Sequence, residues 1–94
     1  SALFGADHPS VATAMSTLAL LHREVGEYAT AEALYRRAVE IREKVLGPDH
    51  PETANGLSGL GDLYHHRGDF EKAEDCLTRA VEASRRAVGD EHLY

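Results

Sequence analysis

The sequence predicts an all-α fold: an α-solenoid of helix–turn–helix units, with four main helices and the start of a third repeat. Three observations carry that prediction. Asp7-His8-Pro9 returns as Asp49-His50-Pro51, and Gly5 returns as Gly47 and Gly89, so the chain repeats itself with a period of 42 residues. Of the 42 ungapped pairs, 15 are identical, among them Ala12/Ala54, Leu18/Leu60, Leu21/Leu63, Gly26/Gly68 and the run Arg37-Ala38-Val39-Glu40 onto Arg79-Ala80-Val81-Glu82. Inside each copy apolar residues recur three and four apart, the spacing of one helical face, and glycine or proline punctuates the joints. The 94 residues form a single domain, with repeat 1 over about 5–46, repeat 2 over about 47–88 and a partial third repeat at 89–94. The pattern stops inside that third copy, which marks the chain as a piece of a longer array or one completed by another chain.

The first helix is expected over about 9–25, where Val11, Ala14, Leu18, Leu21 and Val25 share one face. Pro9 sits in its first turn, where a missing N–H costs nothing, and Gly26 can take the positive φ that closes it. The second helix, about 29–46, carries Ala31, Leu34, Ala38, Ile41 and Val45 and ends at Gly47, after which Pro48 and Pro51 prevent a simple continuation. The third, about 51–67, opens on Pro51 with Glu52 at the positive end of the helix dipole and closes at Gly68. Asp69 is placed to cap the fourth, about 70–88, whose stripe is Ala73, Cys76, Ala80, Ala83 and Ala87. Ala19 or Gly61 on the first helix of each unit, and Ala31 or Ala73 on the second, are small enough to let two backbones approach to about 8–10 Å. No strand is needed.

Composition removes several classes of function. With 43% apolar and 28% charged residues the chain is globular, and its net charge of −6 repels nucleic acid and anionic lipid surfaces. No stretch approaches the ~18–20 apolar residues of a membrane span, and the first residues lack a signal-peptide layout. Cys76 is the lone cysteine, cannot form an internal disulfide, and favours a reducing, cytoplasmic setting. It falls in the apolar register of its helix, where a thiol acts as a small hydrophobe.

Six histidines do not assemble a metal site. His8, His50 and His92 occupy equivalent joints too far apart to share a zinc and read as turn or capping residues, and the adjacent His65 and His66 point about 100° apart. The glycines lack a following Lys-Ser or Lys-Thr, so there is no phosphate loop. Arg36, Arg37, Arg42, Lys44, Arg79, Arg85 and Arg86 alternate with glutamates on the second helices, as on a solvated outer face. No cofactor, no metal and no enzyme chemistry is expected.

Leu57-x-x-Leu60-Gly61-x-x-Tyr64, followed by Ala73, Leu77 and Ala80, resembles the tetratricopeptide repeat. The first copy keeps the spacing as Met15-x-x-Leu18-Ala19-x-x-His22, then Ala31, Tyr35 and Ala38, with His22 packing where the family usually has a tyrosine. The 42-residue period and the Gly-x-Asp-His-Pro joint resemble the kinesin light chain type. The resemblance implies a scaffold for protein–protein contacts whose first helices line the inside of a curve. On that inner face would lie Thr13, Ser16, Thr17, Leu20 and Glu24 with Arg23 on the flank, and their copies Asn55, Ser58, Gly59, Asp62 and His66 with His65 on the flank.

This face departs from two family patterns. Ser16, Leu20 and Gly59 stand where co-chaperone repeats hold a terminal carboxylate with lysine, arginine and asparagine. Ser16-Thr17 and Ser58-Gly59 stand where kinesin light chain repeats often carry asparagines. The leading expectation is a non-catalytic module that binds a peptide or helix of another protein in this groove. The alternative is a structural module that forms a homo-oligomer through exposed apolar ends, Leu3 and Phe4 at one side and Ala87, Val88, Leu93 and Tyr94 at the other.

Overall fold

The computed structural model describes residues 8–88, which form α1 (Pro9–Glu24), α2 (Tyr28–Val45), α3 (Pro51–Arg67) and α4 (Phe70–Val88). Each helix starts and stops within one residue of the predicted limits, because the joints are chemically explicit. At both first helices a histidine caps: His8 Nδ1 accepts from the Ser10 N–H at 3.0 Å and His50 Nδ1 from the Glu52 N–H at 3.1 Å. Nδ1 must then carry its lone pair, which fixes the proton on Nε2 in the neutral ring. Pro9 and Pro51 follow as the first helical residues. His92 lies outside the described residues.

The two inner turns are copies of one another. Gly26 and Gly68 take φ of +87° and +85°, and the chain closes with Gly26 N–H to the Arg23 carbonyl and Glu27 N–H to the His22 carbonyl, matched by Gly68 to His65 and Asp69 to Tyr64. These paired five-to-two and six-to-one bonds satisfy carbonyls that the helix end would leave bare. Asp69 receives the first bond of α4 on its backbone carbonyl, from Ala73 at 2.9 Å. Between the units, Thr53 is fully buried and its hydroxyl donates to the Gly47 carbonyl at 2.8 Å, which ties the start of α3 to the end of α2.

Each helix packs on its neighbours in the chain, and α1 also touches α3. The assembly is a slab of 45 × 39 × 15 Å. Its main core joins Ala19 of α1, Ala31 and Tyr35 of α2, Leu60, Leu63 and Tyr64 of α3, and Ala73 and Cys76 of α4. A Cβ on Gly61 would sit 2.8 Å from Leu77 Cγ and 3.4 Å from the Ala73 carbonyl, so the closeness of α3 to α4 depends on that glycine.

The stripe expected to seat α1 is not the one that is buried. Leu18 is 47% exposed, Leu21 57% and Val25 72%, while Ala12 and Ala19 are fully buried against α2. The sequence pattern of α1 describes the face that, in the second copy, lies on α2 of the preceding unit. Among the described residues no helix precedes α1, so the stripe stays in solvent. In the α2 stripe Ala31, Ala38 and Ile41 are buried, Leu34 is half-buried and Val45 is exposed, while the α4 stripe is buried from Ala73 to Ala83, with Ala87 exposed.

Candidate functional site

Tyr35, Val39 and Arg42, spaced four and three along α2, rise into the valley between α1 and α3. Glycines on α3 make room for them. A Cβ on Gly59 would lie 2.8 Å from Tyr35 Cε1, and one on Gly56 would lie 3.0 Å from Val39 Cγ2 and 3.3 Å from Arg42 Nη1. Arg42 is only 7% exposed, which corrects its expected place on a solvated outer face. Its position faces the next unit, where the missing Gly56 side chain admits the guanidinium. Nη1 donates to Ser16 Oγ at 3.3 Å and Nη2 to Thr13 Oγ1 at 3.5 Å. Nε stands 3.9 Å from Glu52 Oε1 and makes no hydrogen bond. One buried cation thus touches α1 and α3 together, held by long bonds to hydroxyls rather than by a close carboxylate.

The electrostatics of Tyr35 place two further groups at this valley. Burial pushes the Tyr35 hydroxyl above its ordinary range, Arg23 opposes that shift and Asp62 adds to it, so both charges stand near the phenol. Behind the valley, Glu32 of α2 accepts from the Tyr64 hydroxyl at 2.7 Å and from Arg67 Nη1 at 2.6 Å. Burial would raise the Glu32 carboxyl, but the bonds from Tyr64 and Arg67 outweigh it and hold the carboxyl below its usual value. Tyr64 is pushed up to about 12, first by burial and then by its bond to Glu32. The Cys76 thiol is also raised, by burial and then by Asp75, so it stays protonated and packs as the small hydrophobe its register predicts.

The residues predicted for the inner face divide into groups. Arg42 draws Thr13 and Ser16 together, and Tyr35 draws Arg23, Gly59 and Asp62. Thr17, Leu20 and Glu24 are exposed on α1, as are Asn55, Ser58 and His66 on α3. The Thr13 and Thr17 hydroxyls bond back to the carbonyls of Pro9 and Thr13, and Arg23 lies 3.8 Å from Glu24. Gly59 offers no side chain and lies under the Tyr35 ring. His65 is turned away from this group and stands edge-on to Phe70, with ring centroids 5.3 Å apart. His22 is half-buried and pairs with Glu27 at 2.5 Å. Tyr35 and Arg42 are the valley residues that the sequence reading missed; their 35, 39, 42 spacing, copied at Leu77, Val81 and Ser84, is the signal that marks them.

The outer basic residues form cross-unit and local pairs. Arg79 meets Glu43 at 2.6 Å, Arg86 meets Asp49 at 3.5 Å and Arg37 meets Glu40 at 3.3 Å. On the far side of α3 and α4 an open groove of about 740 Å³ is lined by His65, Phe70, Leu77 and Val81 with Glu74 and Arg85 at its rim. Phe70 and Val81 are each 62% exposed there. Both outer faces of the slab, α1 at one end and α4 at the other, therefore present apolar side chains to solvent.

Among the described residues no three His, Cys, Asp or Glu side chains stand close enough to hold a metal ion, and no helix is long and apolar enough to cross a membrane. A duplicated helix pair, stacked through a shared core, defines an α-helical repeat scaffold. The tetratricopeptide repeat profile matches residues 1–44 and again residues 10–86, and the chain belongs to that family. No curated protein matches it. Repeats of this family in general mediate protein–protein contacts and are typically non-catalytic.

Proposed function

We propose that this chain is a non-catalytic cytoplasmic module, of the kinesin light chain type, that holds a peptide or helix of another protein against the face shared by α1 and α3. The observation that carries this reading is the valley floor. Tyr35 and Arg42 fill the space between the two helices, so side chains from both units stand side by side over a continuous surface. Thr13, Ser16, Thr17, Leu20, Arg23 and Glu24 would meet the ligand from α1. Asn55, Ser58, Asp62 and His66 would meet it from α3, whereas Gly59 lies under the Tyr35 ring and His65 faces Phe70 instead. The hydroxyls, the Asn55 amide and charges of both signs suit a polar segment with an apolar anchor at Leu20. Asp62 and His66 are exposed, so the double variant Asp62→Arg, His66→Ala should fold normally and lose most of the proteins captured by the unmodified chain. An unchanged capture profile overturns the groove.

A second reading is favoured by the apolar side chains on both outer faces, Leu18 and Leu21 on α1 and Phe70 and Val81 on α4. In it the chain assembles with itself through its ends. Of the end residues expected from the sequence, Ala87 is exposed; Leu3, Phe4, Leu93, Tyr94 and the Val88 side chain lie outside the described residues. Sedimentation across a concentration series tests it, and a monomer at every concentration overturns it.

A further inference from the structure

We propose that a second copy of this chain docks head to tail, with its α1 in the groove on α3 and α4 of the first, repeating the internal contact that α3 makes on α2. This rests on the self-assembly reading and gives it an orientation and a register. The 42-residue period specifies every pair, because each residue at the internal contact has a counterpart on an outer face.

The internal contact is known in detail. Leu60 and Leu63 enter a core with Tyr35 and Ala31, Tyr35 covers Gly59, and Val39 covers Gly56. The counterparts of Leu60 and Leu63 are Leu18 and Leu21 of an incoming copy; those of Tyr35 and Val39 are Leu77 and Val81 of the resident one. The residues at these places differ in a compensating way. Where the interior sets a large ring on a bare backbone, Tyr35 on Gly59, the ends set a smaller Leu77 against a larger Thr17. Val39 on Gly56 becomes Val81 on Ala14. Each set of four carries the same number of side-chain heavy atoms, while Arg42, the third α2 residue at the internal contact, is replaced by the smaller Ser84.

The polar pairs carry over less evenly. Tyr64 bonds Glu32 internally; its counterpart His22 can offer a ring N–H to Glu74, the counterpart of Glu32. The internal pair of Arg79 with Glu43 becomes Arg37 of the incoming copy against Arg85 of the resident. Two arginines there oppose the contact, and this makes the register testable. Because head and tail are different surfaces, the contact is heterologous and adds copies in series rather than pairing two of them about a two-fold axis.

The test uses the 94-residue chain in sedimentation velocity. Leu21→Asp spoils the head and Val81→Asp the tail; both positions are exposed in the single copy, at 57% and 62%, so each variant should remain folded. Each alone should lose self-association by at least about thirtyfold, as an interface anchor does. Mixed, they should form a one-to-one dimer and stop, since one intact head meets one intact tail. Arg37→Glu should tighten association roughly two- to fivefold by facing Arg85 with a carboxylate. A chain that is monomeric at all concentrations overturns both the assembly reading and this register. A closed dimer that survives Val81→Asp, a mixture that fails to pair, or an Arg37→Glu variant that does not tighten overturns the head-to-tail register and leaves self-assembly standing.

Discussion

Leu21 and Leu63 occupy the same place in two copies of one unit, yet Leu21 is 57% exposed and Leu63 is fully buried. Leu18 and Leu60 repeat the contrast at 47% and 6%. Helix formation is equal in the two copies: the same histidine cap starts each first helix and the same glycine turn ends it. What differs is the neighbour. α3 has α2 of the preceding unit behind it, and α1 among the described residues has none. In a linear array a residue's energetic weight is set by the interface it meets rather than by its place in the repeat.

The sharpest way to break that comparison is to make one substitution twice. Leu63→Ala should cost about 2–5 kcal/mol in urea denaturation, because it opens a cavity in the shared core. Leu21→Ala in the monomer should stay within about 0.5 kcal/mol. Equal losses at the two positions would mean that something covers α1 in solution.

The bond between Tyr64 and Glu32 comes next in size, and it spans the two units. Tyr64→Phe should cost about 1.5–3 kcal/mol at neutral pH, since it removes a hydrogen bond to a charged acceptor. Its pH dependence has a definite sign. Glu32 is held below 4.5, so its contribution is present above that value and lost as the pH falls through its lowered folded value. Tyr64 rises from 10.0 to about 12, so its contribution is present below pH 10 and lost as the pH climbs toward 12. Measured as the urea midpoint against pH, Tyr64→Phe should flatten the alkaline decline.

Glycine on one side and threonine on the other sharpen the comparison further. Gly59→Val should cost about 1–3 kcal/mol by driving a side chain into the pinned Tyr35 ring, whereas Thr17→Val on exposed α1 should change thermal stability by no more than about 0.5 kcal/mol. The caps come last. His50→Ala should cost about 1 kcal/mol by leaving the Glu52 N–H without its acceptor, and His8→Ala a similar or smaller amount, read by thermal melts.

Most of the fold was legible because its punctuation is local. His-Pro joints and glycine turns fix helix ends through bonds within a few residues, and the α2 and α4 stripes face partners inside their own unit. The α1 stripe misled in an informative way: spacing reveals which residues can share a buried face but not whether a neighbour arrives to bury it. Arg42 escaped for a related reason. An arginine among alternating charges on a helix reads as solvated, and its burial depends on Gly56, fourteen residues away and on another helix. The candidate face was legible as a set of positions, while its floor of Tyr35 and Arg42 was not.

By itself, the sequence determined the duplication, the four helices, their ends and the small residues that let them approach, since each of these follows from periodicity and short-range backbone chemistry. Only the tertiary structure decided which apolar stripe is core and which is surface, that Arg42 is enclosed between α1 and α3, and that Tyr64 and Arg67 converge on Glu32. Those outcomes depend on contacts between units, where the same side chain is buried or bare according to what stands opposite it.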